Sequence, residues 1–396
     1  MMQMQNRNRK YAEKVILCAV VMACTFAVVM RDHWLDYSVH VGYAINFRKE
    51  FLKLFTSISE FQFQYPMWHF LVNLFYKLRF IFTDLTPQAA AAFVTAGING
   101  CVYLIFDKIL SCYGVLDSAW AAFGLCFVMP VYHPWSMDKR FYFGQGSPVV
   151  WHNPSTIMVK PFALIGFFQI KRILDNIGKQ ETDRKEYLSL SAVIFLSVLA
   201  KPSFFQGIVP ALGVYILIRL IRTKFANFRE YCLLCACFIP GFLLVLFQSV
   251  TTFFVGEEGG GISFGWLDVA KFYYPRPWEQ FFLTLAFPLG YILFNLKKAF
   301  KHTEIQLSVL FLLCSWLQYA VLYENGIRRL DGNFEWALCL AYTVIWLVTS
   351  SFFFKDWQEM DLRNKREKAV NTVLLLTWAA HFVSGIYFLG RLLKLF

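Results

Sequence analysis

The sequence predicts an all-α fold, a polytopic transmembrane helical bundle of about 11–12 spans, with an interfacial helix on the outer face after the first span. Three observations predict it. Hydrophobic residues make up 58% of the chain and charged residues 16%, against about 25% charged in a soluble domain. Apolar runs of 14 to 26 residues recur from Val15 onward, most of them long enough for a hydrocarbon core of about 30 Å. The gaps between the runs fall into two kinds, one basic and one rich in aromatic, acidic and histidine residues.

Backbone polar groups must be paired in lipid, so such runs form helices or closed barrels. They show no sustained alternation, and helices follow. Twelve segments stand out: about 15–30, 66–82, 88–107, 116–132, 157–171, 187–200, 203–221, 230–255, 278–296, 306–323, 335–354 and 370–393. The first follows Arg7, Arg9, Lys10 and Lys14 as a signal peptide would. It ends at Met30-Arg31-Asp32 without a small-residue cleavage site, which reads as an uncleaved span. No internal repeat or long linker divides the chain, so residues 1–396 form one transmembrane domain.

Five gaps are basic and poor in motifs: the N-terminal tail, 171–186, 219–229, 297–302 and 355–368. They hold 21 of the 38 Lys and Arg residues. The positive-inside rule places them, with the N-terminus, in the cytoplasm. The net charge of +12 has its explanation there. No basic soluble face exists for nucleic acid, and no nucleic-acid partner is expected. The ten cysteines lie in or beside apolar runs, where free Cys behaves as a small hydrophobe. Cys232, Cys235 and Cys237 lack a partner cluster for a structural metal.

The other gaps, 31–65, 133–156, 256–277 and 324–334, are expected on the outer face as parts of one site. Both 31–65 and 133–156 belong outside, yet three apolar segments lie between them. One of those three must be re-entrant, broken or merged, and the prolines at 130, 134 and 148 point to 116–150.

In the first loop Asp36 and His40 are four apart, on one helix face, where a carboxylate beside an imidazole can act as a general base. Asp32 is the second candidate. Residues 47–55 interleave Phe and Leu with charge, as an interfacial helix does. Tyr65-Pro66-Met67-Trp68-His69 re-enters the membrane, with His69 at headgroup depth. The second loop offers His152 and Asn153 as donors to a phosphate or sugar, and Lys160 just inside the next helix must snorkel, pair or face a polar cavity. Lys201-Pro202-Ser203 is either a tight hairpin or a further cation of the same cavity. Glu257 to Gly261 suggests a lid. In the last loop Arg328 and Arg329 can clamp a phosphate or pair with Glu324, Asp331 and Glu335, and Asn333 and Trp336 suit a sugar pocket.

These residues carry a resemblance. Asp36 in Asp-x-x-x-His-x-x-x-Ala after the first span, the interfacial helix, Tyr65 to His69, Trp151 to Ser155 and Glu324 to Trp336 are similar to stretches of the GT-C class of membrane glycosyltransferases. The resemblance implies a multispan bacterial enzyme of the cell membrane, active on the outer face. Its implied partners are a polyprenyl-phosphate-linked sugar donor, a glycan, lipid or protein acceptor, and membrane lipid. It implies Asp36 as the base, Asp32 as fallback, His40 beside them, and His69, His152, Asn153, Lys160, Arg328, Arg329 and Asn333 around the phosphate and sugar. Many members carry adjacent acidic residues where this chain has Asp32 and Asp36 four apart, which leaves both as candidates. No cofactor is certain; metal dependence varies in the class and a divalent metal stays open. An envelope-glycan polymerase or acyltransferase would instead depend on His or Arg, and a transporter would place its ionisable residues at mid-membrane.

Overall fold

The computed structural model describes residues 2–31, 35–57, 61, 65–81, 84–131, 147–179, 182–253, 261–361 and 363–395. Its elements in chain order are α1 (Met2–Arg31), α2 (Leu35–Ile45), α3 (Phe47–Thr56), α4 (Pro66–Tyr76), α5 (Pro87–Cys112), α6 (Ser118–Leu125), α7 (Pro154–Asn176), α8 (Arg184–Ala200), α9 (Ser203–Arg222), α10 (Phe228–Ala236), α11 (Ile239–Phe253), β1 (Ile262–Phe264), α12 (Asp268–Tyr273), α13 (Pro277–Phe294), α14 (Leu296–Ala299), α15 (Thr303–Val321), β2 (Leu322–Glu324), α16 (Glu335–Glu359) and α17 (Lys365–Leu392). The fold is nearly all-α, as the apolar runs predict. Six helices are long and apolar enough to cross a membrane, or seven if α10 and α11, bent by 43°, form one span. The protein is integral to a membrane on that ground. Other predicted spans coincide with shorter helices: α4 has 11 residues, α6 has 8 and α8 has 17.

Helix α16 is the axis. It is buried from Glu335 to Phe353, and α15, α13, α9 and α7 pack around it. α1 lies antiparallel on α5. Gln88 at the start of α5 donates to the Val29 carbonyl at the end of α1, while Lys14 pairs with Asp107 at the other end. Pro87 opens α5 behind Thr86, whose hydroxyl accepts from Ala89 N at 3.1 Å, a proline and cap in their preferred places.

Segment 66–82 holds the short helix α4 and a 3-10 turn at 77–80. α4 stays level with α2 and the first turns of α5. Asn73 donates to the Ala44 carbonyl at 2.8 Å, Trp68 to the Thr95 hydroxyl at 3.2 Å, and Phe75 meets Phe93 with ring centroids 5.5 Å apart. Residues 68–75 therefore lie beside α2 and the start of α5. Region 116–131 is broken as expected, with α6 followed by extended chain.

That extended chain lies inside the protein and its polar groups are satisfied there, as buried non-helical backbone requires. The Met129 carbonyl meets His381 Nδ1 at 2.7 Å, Met129 N donates to the His381 carbonyl at 3.2 Å, and Ser384 donates to the Pro130 carbonyl at 2.6 Å. The approach is so close at Gly385 that a Cβ would sit 1.5 Å from the Phe127 carbonyl oxygen. Gly385→Ala is therefore expected to cost about 1–3 kcal/mol of stability through overpacking, read as a lower thermal unfolding temperature in detergent. Gly213→Ala, whose Cβ meets nothing within 4 Å, is the control and is expected to be neutral or slightly stabilising. Equal melting of the two variants would contradict this packing.

α3 exposes most of its length and buries none of its residues. Phe47, Phe51 and Phe55 form a row, with successive centroids 5.9 and 6.3 Å apart, and Phe47 rests on Phe70 at 5.6 Å.

Candidate functional site

The site forms where α2, α4, α7 and α16 begin and where the chain turns from α8 into α9. Two of the loops predicted on one face are joined directly, since β1 pairs antiparallel with β2, Ile262 opposite Glu324.

Asn153 is the hub. It is the N-cap of α7, and its Oδ1 accepts from Thr156 N at 3.0 Å, the Thr156 hydroxyl at 2.9 Å and the Ser155 hydroxyl at 2.9 Å. Pro154 at the first helical position suits that start. With its carbonyl oxygen fixed by the cap, the amide must aim its NH2 group outward. Nδ2 donates to Asp36 Oδ2 at 3.2 Å, and the same Oδ1 also receives Lys201 Nζ at 3.0 Å. One amide thus holds a carboxylate at one end and an ammonium at the other.

Burial pushes the Asp36 carboxyl above its ordinary value, opposed by the Lys201 ammonium and the Asn153 amide. Lys201 is buried and burial pushes it down to about 7, with Asp36 pulling the other way. Its ammonium sits 4.5 Å over the Trp336 ring, a cation–π contact. The His152 ring lies 5.3 Å from the same indole, and burial and Lys201 push that imidazole down to about 3.

The expected Asp36–His40 pair gives way to two separate pairs on α2. His40 Nδ1 meets His69 Nε2 at 2.7 Å, and His69 Nδ1 meets the Tyr65 carbonyl at 3.0 Å. Burial holds both imidazoles below their ordinary range, His69 at about 4. A carbonyl only accepts, so His69 Nδ1 carries the proton, His69 Nε2 accepts, and His40 Nδ1 donates. The acceptor lone pair of the chain then sits on His40 Nε2.

Arg328 borders the group. It pairs with Glu324 Oε2 at 3.1 Å and Asp331 Oδ2 at 3.3 Å, and Asn333 donates to the same Glu324 oxygen at 2.9 Å. Burial raises the Glu324 carboxyl while Arg328 lowers it. The two arginines do not share a clamp. Arg329 turns away, 3.6 Å from Asp268 Oδ2 and stacked over Tyr323 at 4.9 Å. Glu335, the third expected carboxylate, is not among the ion-pair partners of Arg328 or Arg329 among the described residues.

Lys160 lies apart from this group. It resolves its burial by donating to the Pro148 carbonyl at 2.7 Å, which also accepts from Thr343 at 2.8 Å. Asp32, His133, the turn at 144–146 and the acidic-glycine stretch 257–260 lie outside the described residues. Among the described residues no three His, Cys, Asp or Glu side chains converge in one place. All ten cysteines are free thiols.

Lys201 is the residue that sequence reasoning left between two roles. Its signal is position: a lysine followed by proline, where one apolar run stops and the next begins. Trp336 was legible only as a sugar-pocket candidate, and its use as the floor under a buried ammonium was not.

Comparison of the sequence with models of known protein families finds no match, and no curated protein matches it.

Proposed function

We propose that the chain is an inverting glycosyltransferase of the GT-C kind, which moves a sugar from a polyprenyl-phosphate carrier to a hydroxyl of an envelope acceptor. The observation that carries this reading is the Asp36–Asn153–Lys201 bridge. Transfer from a phosphate-linked donor needs a carboxylate to receive a proton and, a few ångströms away, a cation for the leaving phosphate. The hub supplies both on rigid helix ends.

The acceptor oxygen attacks the anomeric carbon as its proton passes to the Asp36 carboxylate. The bond from that carbon to the phosphate oxygen breaks, and its electron pair leaves with the lipid phosphate. Lys201 balances the charge there, helped by an N–H of neutral His152. Trp336 and Asn333 line the sugar. Asp32 is the fallback base. The products are the glycosylated acceptor, inverted at its anomeric centre, and the polyprenyl phosphate.

In this reading α1, α5, the run from α6 to residue 131, α7, α8, α9, the bent α10–α11 pair, α13, α15, α16 and α17 cross the membrane. Segment 66–82 stays at the site end, and α3 lies in the interface beside it. The basic ends face the cytoplasm with the N-terminus, which leaves the site on the outer face of the bacterial cell membrane. Its partners are the lipid-linked donor, the acceptor and the surrounding lipid.

Purified protein given a panel of radiolabelled polyprenyl-phosphate sugars and an envelope extract as acceptor is expected to consume one donor and release polyprenyl phosphate. Consumption of none would overturn the reading. An acyltransferase is the second reading, favoured by the His40–His69 relay. Under it His40→Ala, and not Asp36→Asn, abolishes turnover.

Asn153→Asp gives a sharper test of the hub. Aspartate keeps the cap but puts a second carboxylate beside Asp36 and Lys201, which raises the pKa of both. Transfer needs Asp36 deprotonated and Lys201 protonated. Both limbs of its pH–rate profile are therefore expected to move to higher pH. An unmoved profile would contradict the bridge.

A further inference from the structure

At the opposite end of the bundle, where α7 and α9 finish and α15 begins, lies a cavity of about 320 Å³. Lys171, Lys179, Arg219 and Lys301 line it against two carboxylates, Asp175 and Glu304. Those carboxylates are already engaged. Asp175 pairs with Lys171 at 2.8 Å and accepts from the Thr303 hydroxyl at 2.7 Å. Glu304 accepts from Tyr113 OH at 2.6 Å and lies 3.9 Å from the same Lys171. Lys179, Arg219 and Lys301 remain. Among the described residues, no carboxylate lies within ion-pair distance of any of the three.

The three cations come from different places, one from the turn after α7, one from the last turn of α9 and one from the loop before α15. Like charges around one cavity repel, and sequence-distant ones converge at a cost unless an anion occupies the space between them. The start of α15 points the same way. His302 at its N-cap and Thr303 and Glu304 in its first turn line the same cavity, at the positive end of the helix dipole. The cavity is at the small end of ligand sites, the size of a phosphate-bearing headgroup or a sugar phosphate.

We propose that this cavity binds a phosphate group through Lys179, Arg219 and Lys301. The group is presented either by an anionic phospholipid at the membrane surface or by a small soluble phosphate ester. Basic pockets between membrane helices on the cytoplasmic side take lipid headgroups in this way. The proposal does not rest on the chemistry assigned to the other end of the bundle.

The test uses the full-length protein in neutral detergent, with binding read by native mass spectrometry and by thermal shift. One arm adds phosphatidylglycerol, with phosphatidylcholine as the neutral reference. The other adds inorganic phosphate or glucose 1-phosphate. The expected result is binding of at least one probe, weakened about tenfold or more in R219Q/K301Q, a factor worth about 1.4 kcal/mol. R366Q/K368Q, which removes equal charge from the exposed first turn of α17 at the same end, should bind as wild type does. Binding of phosphatidylglycerol alone assigns the lipid, and binding of the soluble probes assigns the free ester. All four substituted residues are exposed, so both variants should melt as wild type does without ligand. No binding of either probe, or equal weakening in both variants, would overturn the proposal.

Discussion

Asp36→Asn should reduce sugar transfer by about 10²–10⁴-fold, the range a positioned general base contributes. The substitution keeps size and shape but removes the lone pair that takes the acceptor proton. The variant should still fold. Asp36 is partly exposed at the start of α2, and its bond is to Asn153 Nδ2, which an Asn side-chain oxygen can also accept. Asp36 also pulls the Lys201 pKa up, so donor affinity should stay near that of wild type only well below pH 7, where Lys201 keeps its proton in the variant. The pH profile carries a second signature. The active form is the carboxylate, and burial raises its pKa. Activity should therefore fall as pH drops through a value above the ordinary one for an aspartate carboxyl. An acid limb at an ordinary value, or one that persists in the variant, would move the base to Asp32 or to His40.

Lys201→Met should cost transfer about 10²–10³-fold, the scale of losing one group that stabilises developing negative charge. The same variant should melt no lower than wild type at neutral pH. Burial takes Lys201 from its ordinary 10.5 to about 7. Between those values the folded protein holds fewer protons at this site than the unfolded chain does, so stability gained from this group rises with pH across that window. Its buried ammonium is thus a cost below pH 7, only partly offset by Asn153 and Trp336, and methionine removes that cost. A residue that weakens the fold yet is indispensable for turnover is what a functional cation looks like. Donor binding in wild type should also weaken as pH rises through about 7, where the ammonium is lost. Lys201→Arg keeps charge at all pH values and should flatten that alkaline limb. A Lys201→Met variant with full activity would remove the phosphate role.

The helical membrane fold was legible because the apolar runs are long and the charges segregate between gaps. The course of segment 66–82 was not. Segment 66–82 is as apolar as a spanning helix, and only the bonds of Asn73 to Ala44 and of Trp68 to Thr95 show that these residues sit beside α2 and the start of α5. The prolines near 130 drew attention to a real break, but the extended chain there is accommodated by Gly385 and His381, more than 250 residues away in sequence. At the site, residue type and position identified Asp36, His69, His152, Asn153, Arg328 and Asn333 as neighbours. Which of them bond to one another was beyond the sequence. Helical spacing suggested Asp36 with His40, whereas α4 and α7 supply nearer partners for each. Adjacent Arg328 and Arg329 suggested one clamp. The short 3-10 turn at 326–330 instead sends the two side chains to different carboxylates. Lys160 and Lys201 are both lysines followed by a proline, and only packing separates the one that bonds a carbonyl from the one at the hub.

The most direct test of a single displacement assisted by Asp36 is the anomeric configuration of the first product formed from an anomerically defined polyprenyl-phosphate sugar, read by NMR. Inversion is the predicted result, since the acceptor oxygen attacks opposite the departing phosphate. Retention would contradict the mechanism, because it requires a second displacement through a nucleophile for which the Asp36–Asn153–Lys201 hub has no role.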